Sequence, residues 1–339
     1  MQPVAAGAMP MARAGTSWRA PIPGLVAGTS AVACADRGRN GMKLALFDDF
    51  IPGLVHGDRV IDLRGVIGAI AEAPPAERLP RLIAEFDRLR PRLEEAGRGS
   101  GLPLAEVRLR PPLPRPSKIF CCIGNYKEGV EAPMQPLDMF LKSSDAVIGP
   151  DDTVELPPVP ATIFHHEAEL AVVIGRRAKR VAPDQAMAHV FGYTCFIDVS
   201  ARGIGQRSFI GKSFDTFAPL GPWIVTADEV GDPQRLRVRL WVDGQLRHDY
   251  HTSDMEHPVA EVLAWASQVA ALFPGDVLAC GTNHQGIGPV QDGELVEVEI
   301  ERIGRMRVRV QDPLQRRWPK GVDEEMARRV REARLARNP

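Results

Sequence analysis

The chain has 339 residues, with 42 basic against 43 acidic side chains and a net charge of −1. This length allows one large domain or two with a sizeable core, and the charge balance gives no general pull toward nucleic acid or anionic membranes. No run approaches the roughly 18 apolar residues of a spanning helix, so neither nucleic acid nor a membrane is expected as a partner.

Thirty prolines and 31 glycines predict many turns and few long helices. The cysteines (Cys34, Cys121, Cys122, Cys195 and Cys280) form no Cys-x-x-Cys pair. Their odd number and scatter suit reduced thiols in a cytoplasmic protein. Cys121 and Cys122 are adjacent in an apolar run and read as core packing.

Residues 1–41 are rich in Ala, Gly and Pro, lack acidic residues before Asp36 and show no sustained period. They read as a disordered extension, with Met42 an alternative start. Residues 42–47 and 53–62 read as short strands with a turn between them, and 66–73 as a short helix. Residues 78–96 predict a helix that Pro91 kinks or divides. Residues 102–115 are extended and Pro-rich, a linker that closes a small N-terminal domain over 42–115.

Strands dominate from residue 116 to 312: 118–123, 146–149, 153–156, 167–175, 193–199, 221–225, 277–280, 295–303 and 306–310. Residues 238–242 and 245–250 form a hairpin through Asp243-Gly244. Helices are expected at 184–189 and 259–270. The tail 313–339 carries a helix over 323–337, capped by Asp323, with Glu324/Arg328 and Glu325/Arg329 at stabilising spacing and Met326 and Val330 packed on the body.

The segment His165-His166-Glu167-Ala168-Glu169-Leu170-Ala171-Val172-Val173-Ile174-Gly175 reads as one strand covered on both faces. Glu167 and Glu169 share a face, and two like charges buried side by side cost several kcal/mol per ion. A divalent cation is the simplest compensation, and a buried ion pair is the other. Glu297, Glu299 and Glu301 have the same spacing, but there the alternation with Val296, Val298 and Ile300 is strict, as in a half-solvated strand.

Asp198 adds a third carboxylate after the hydrophobic strand Phe196-Ile197. Together with Glu167-x-Glu169 it resembles the fumarylacetoacetate hydrolase family. The likeness runs from about Lys118 to Val310 through Gly124-Asn125-Tyr126, Phe140-Leu141-Lys142-Ser143, Glu167-Ala168-Glu169-Leu170, Asp198-Val199-Ser200-Ala201-Arg202, Gly211-Lys212-Ser213-Phe214-Asp215 and Gly281-Thr282. It implies an α+β fold, mainly β, with a mixed β-roll catalytic domain, a small N-terminal α/β domain and a homodimer. It also implies Glu167, Glu169 and Asp198 as ligands of Mg²⁺, or of Mn²⁺ or Ca²⁺, which agrees with the preference of hard cations for oxygen. Lys212 resembles the family's buried lysine beside the ligands. Arg202 and Lys142 are implied to face a substrate carboxylate, while Tyr126 and Thr282 are implied substrate contacts.

One departure stands out. Family members that cleave acyl pyruvates carry Asn-Tyr-x-x-His-x-x-Glu in a lid, whereas here Gly129 and Ala132 occupy the His and Glu positions. His284 is the leading substitute base, because an ordinary imidazole titrates near neutrality. His165, His166, Glu128 and Glu131 are the others. The expected activity is metal-dependent hydrolysis of a carbon–carbon bond in a small anionic oxo acid or 1,3-dicarbonyl compound. Decarboxylation, tautomerisation or hydration is the alternative, and a non-catalytic metal- and ligand-binding member is the third reading.

Overall fold

The structure, a computed structural model, describes residues 41–204 and 209–336. The extension expected over residues 1–41 thus lies, apart from residue 41, outside the described residues.

The strand Ala168–Ile174 is the centre of the molecule, and all seven of its residues are buried. It pairs antiparallel with Val190–Ile197 on one side and with Val277–Ala279 on the other. Its two faces enter different cores, the cause of its unbroken apolar run. Leu170, Val172 and Ile174 pack with Val238, Leu240, Val298 and Val308 of a second sheet and with Val262 and Leu263 of the helix Val259–Val269. Ala171 and Val173 pack with Leu79, Leu82, Leu89 and Leu93 from two N-terminal helices. Complete burial of one such Leu or Val side chain is worth about 1.5–3 kcal/mol, so both covers hold this strand in place.

Among the described residues the strands form sheets of twelve, five and three. The largest runs from Leu102–Pro103 through Arg59–Asp62, Ile51–His56 and Lys43–Phe47 to Ala218–Thr226, then across the central strands to Ile119–Cys122 and Met139–Lys142. Lys43–Phe47 joins the later strands through Ala218–Thr226. Leu109–Arg110, inside the expected linker, also pairs with Lys43–Phe47. The sheet therefore continues across the boundary drawn near residue 115. The five-stranded sheet orders Gln245–His251, Arg237–Val242, Leu295–Ile300, Gly304–Gln311 and Thr153–Glu155. The smallest places Ile163–His166 between Ser200–Arg202 and Gly288–Pro289.

Several expectations change in detail. The single strand over 53–62 is a hairpin, Ile51–His56 with Arg59–Asp62, because Gly57 (φ +60°) supplies a left-handed turn. The helix over 78–96 divides at Glu85, giving Pro75–Ala84 and Phe86–Ala96, and Pro91 is accommodated inside the second. The strand Met139–Lys142 has no counterpart in the sequence reading; it pairs at the sheet edge with Ile119–Cys122 and buries Phe140 and Lys142 while exposing Leu141, so its hydropathy does not alternate with its burial. Asp243 (φ +48°) and Gly244 (φ +74°) make the expected hairpin turn. The tail helix spans Glu324–Ala336, and it buries Ala327 and Arg334, with Met326 and Val330 only half-buried. Arg329 pairs with Glu325 as expected, but Arg328 pairs with Glu332. Glu297 and Glu299 lie half-buried beside Arg305 and Arg239, as the strict alternation required. No helix among the described residues is long and apolar enough to cross a membrane.

Candidate active site

The segment read as one strand is broken at Glu167. Ile163–His166 belongs to the smallest sheet and Ala168–Ile174 to the largest, so Glu167 stands at the joint. The partner chain breaks at the same level, between Val190–Ile197 and Ser200–Arg202, and Asp198 stands there. The amide of Asp198 donates to the carbonyl of Glu167 at 2.9 Å. Two strand pairs changing sheets together thus set these carboxylates opposite each other. Glu169, first turn of the pleat beyond, completes a buried group whose ligand oxygens lie within 4.8 Å of one another.

Three cations surround this group. Lys212 Nζ donates to Glu167 Oε2 (2.7 Å), Asp198 Oδ2 (2.7 Å) and Ser200 Oγ (2.6 Å). Lys142 Nζ donates to Asp198 Oδ1 and the Val199 carbonyl, and Arg202 donates to Glu167 Oε1. Among the described residues, Glu169 receives only the backbone N–H of Gly281, at 2.7 Å. Gly281 has φ +84°, which turns the chain so that this amide points inward. Gly211 matters differently: a Cβ there would sit 2.6 Å from the Ala201 carbonyl, so only glycine brings Lys212 this close.

The electrostatics follow. Burial opposes charge on Glu167, but the Lys212 ammonium and Arg202 guanidinium outweigh it and hold that carboxyl well below its usual range. For Glu169, burial first, then the charges of Asp198 and Glu167, push the carboxyl well above its usual range. Of the triad, Glu169 is the member short of positive charge. Three hard oxygen donors, one of them a carboxylate without a directly bonded cation, fit a divalent cation.

His165 lies between Arg202 and Asp323. Its Nδ1 accepts from Arg202 Nε at 3.2 Å, and its Nε2 contacts Asp323 at 3.0 Å. Burial first, then Arg202, lowers its pKa to about 4, so the ring is neutral at pH 7. His166 points the other way, fully buried, with its ring edge-on to His248 at 5.1 Å and both nitrogens unpartnered.

His284 has a different setting. Its Nδ1 lies 2.7 Å from Glu128 Oε1, and its backbone N–H donates to Glu128 Oε2 at 2.9 Å. Gln285 Nε2 adds a third donor to the same carboxylate at 3.0 Å. A carboxylate there only accepts, so Nδ1 is the donor, and the neutral ring is the tautomer with its lone pair on Nε2. Glu128 is buried in the left-handed region (φ +60°), followed by Gly129 (φ +67°). Two consecutive left-handed residues turn Glu128 inward, and Gly129 adopts its φ without the strain a side chain would add.

The remaining expected residues fall as follows. Lys142, expected at a substrate carboxylate, has a side-chain exposure of 0% and donates to Asp198. Arg202, at 24%, is the open cation. Tyr126 and Thr282 are buried with their hydroxyls beside that of Tyr250, and the Tyr126 ring meets Tyr250 edge-on at 4.9 Å. Glu131 is exposed. The sequence reading missed Ser200 and Gln285. Ser200 was legible, since it shares a strand face with Asp198 and Arg202; nothing local marks Gln285.

A mixed β fold around a buried carboxylate group defines the class, and comparison with known proteins gives the family. The model of the fumarylacetoacetate (FAA) hydrolase C-terminal domain matches residues 118–311. The chain belongs to the fumarylacetoacetate hydrolase family, whose similar members include hydrolases, tautomerases and isomerases. It is 34% identical to a maleylpyruvate hydrolase of Aquipseudomonas alcaligenes over 79% of this chain and 99% of that one. It is 40% identical to the mitochondrial oxaloacetate tautomerase FAHD2B of Bos taurus, over 60% of this chain and 69% of the relative. Among solved structures, the maleylpyruvate hydrolase of Sphingobium sp. SYK-6 in complex with manganese(II) and pyruvate superposes with a TM-score of 0.72. It is 40% identical and covers 80% of this chain and 99% of its own.

Proposed function

We propose that this protein is a divalent-metal-dependent hydrolase that cleaves a carbon–carbon bond of a small oxo acid, with an acyl pyruvate such as maleylpyruvate as the substrate class. The observation that carries this reading is the His284–Glu128 pair, a base with its orienting carboxylate, built where the family's lid pair is missing. The manganese and pyruvate complex of the similar Sphingobium enzyme supports both the ion and the oxo acid. Mg²⁺ is the proposed cation, with Mn²⁺ or Ca²⁺ as substitutes, and a cytoplasmic homodimer remains part of the reading.

Glu167, Glu169 and Asp198 would hold the cation, which supplies Lewis acidity toward the substrate's oxygens when bound. The protein's own groups do the rest. Arg202 meets the anionic end with its outward N–H groups. His284 Nε2 takes a proton from water, whose oxygen bonds to the acyl carbonyl carbon. Glu128 offsets the imidazolium charge. The bond between that carbon and the adjacent methylene then breaks, and the proton passes to the methylene carbon, giving a carboxylic acid and pyruvate. The buried Tyr126 and Thr282 hydroxyls are the proposed donors for the oxygen on which charge develops.

Tautomerisation is the second reading, favoured by the 40% identity to an oxaloacetate tautomerase. It needs the same base but no attacking water. Incubation with maleylpyruvate and with enol-oxaloacetate, each with Mn²⁺ or Mg²⁺, separates the two. Maleate and pyruvate in equal amounts support hydrolysis. Loss of the enol absorbance without fragmentation of either compound replaces it with tautomerisation.

A further inference from the structure

The family match ends at residue 311, yet the chain that follows returns to the site. Trp318 meets Phe164 edge-on, and its indole N–H donates to the Thr162 carbonyl at 2.7 Å. Asp323 then serves two ends at once. It caps the helix Glu324–Ala336, accepting from the Met326 amide at 2.9 Å, and it accepts from His165 behind Arg202. Its own amide donates to the Ile287 carbonyl, directly after the turn His284–Gly286.

Along the helix, two arginines reach the two halves of the base pair. Arg331 donates to Gln285 Oε1, while Gln285 Nε2 lies between Glu128 Oε2 (3.0 Å) and the Ala327 carbonyl (3.5 Å). Arg334, buried despite its charge, makes a bidentate pair with Glu256, both contacts at 2.6 Å. Glu256 in turn accepts from the Gln135 amide at 2.8 Å, and its own amide donates to the Asn125 carbonyl at 3.0 Å. His257 Nε2 holds the Gln135 carbonyl at 2.7 Å. The segment carrying Glu128 is therefore tied at both ends to residues 256 and 257. Without Arg334, the buried Glu256 carboxylate would lose its ion-pair partner and keep the Gln135 backbone N–H.

We propose that residues 323–336 are a positioning element of the active site, which holds the Glu128 segment onto His284 through Arg331–Gln285 and Arg334–Glu256. The proposal rests on the reading of His284 as base, and it assigns to the tail helix the task a closing lid performs elsewhere. Arg334 and Arg331 touch neither substrate nor cation. They act through Glu128 by fixing the position of its carboxylate.

The test uses the full chain with Arg334→Met, and Arg334→Lys as the conservative variant. Hydrogen–deuterium exchange is read peptide by peptide, beside Mn²⁺ titration and steady-state kinetics with maleylpyruvate. In Arg334→Met, exchange over 125–137 and 283–287 is expected to rise at least tenfold, with the strand Ala168–Ile174 and Mn²⁺ affinity unchanged. Turnover should fall at least tenfold with KM within threefold, and Arg334→Lys should recover part of both effects. Unchanged exchange over 125–137 overturns the proposal, as does a rise spread evenly over the chain. If Arg334→Met does not fold, the exposed Arg331→Ala reads the same clamp at Gln285, with the same two outcomes. A wild type that turns over no maleylpyruvate refutes the hydrolase reading instead, and the exchange pattern still decides the clamp.

Discussion

Replacing Glu128 by Gln keeps the shape of the side chain and removes one charge at the point where the proposed mechanism needs it. In the wild type this carboxylate accepts from the His284 ring at 2.7 Å, the His284 amide at 2.9 Å and the Gln285 amide at 3.0 Å. When His284 takes a proton, a full positive charge forms beside it. Unit charges about 4 Å apart at an effective dielectric of about 20 interact by ~4 kcal/mol. Spreading of both charges over two atoms brings the expected loss to about 2–4 kcal/mol, or roughly 30- to 1,000-fold in turnover. Glutamine also presents an NH₂ group to one of the three donors, so part of the loss comes from a misplaced ring. The assay is pyruvate release from maleylpyruvate with saturating Mn²⁺, coupled to NADH oxidation. KM and Mn²⁺ affinity should stay within threefold, because Glu128 makes no hydrogen bond to the triad. A turnover number within threefold of wild type would refute the pair as base and orienter, whatever the substrate.

Glu169→Gln should lower Mn²⁺ affinity at least 100-fold by calorimetric titration, yet leave the metal-free melting temperature equal or higher, since it removes a carboxylate repelled by two neighbours. A lower metal-free melting temperature would contradict that electrostatic account. Lys212→Met leaves Glu167 and Asp198 without their shared partner and should destabilise the metal-free protein by about 3–5 kcal/mol in urea unfolding, with partial recovery in Mn²⁺. A loss below 1 kcal/mol would show the ammonium to be dispensable. His248 is held neutral, its pKa pushed down to about 4 by burial first and then by His284. Unfolding restores the ordinary value, so stability is complete above about pH 6.5 and falls as pH drops toward 4. This ring accounts for about 2 kcal/mol between pH 7 and pH 5. His248→Phe should lose that much less stability than wild type over the same interval, and equal losses would exclude the ring as the cause.

Local pattern carried much of this protein. The two-sided apolar run of Ala168–Ile174, the Asp243-Gly244 turn, the Asp323 cap and the harmless acidic face of Leu295–Ile300 are periodicities and turn chemistries that a few neighbouring residues determine by themselves. The convergence of Glu167, Glu169 and Asp198 was legible as well, because their order and spacing mark a family whose fold brings them together. Tertiary structure alone decided the rest. Glu167 stands at a joint because two strand pairs change sheets there together, and no period within one strand reports a partner's break. Lys142 supports Asp198, 56 residues away, because Met139–Lys142 is an edge strand whose inner face meets the triad. Glu128 is the partner of His284 across 156 residues, and Arg334 that of Glu256 across 78. Sequence spacing describes what a side chain faces along its own element; what it meets from another is fixed by packing, and this site is made of such meetings.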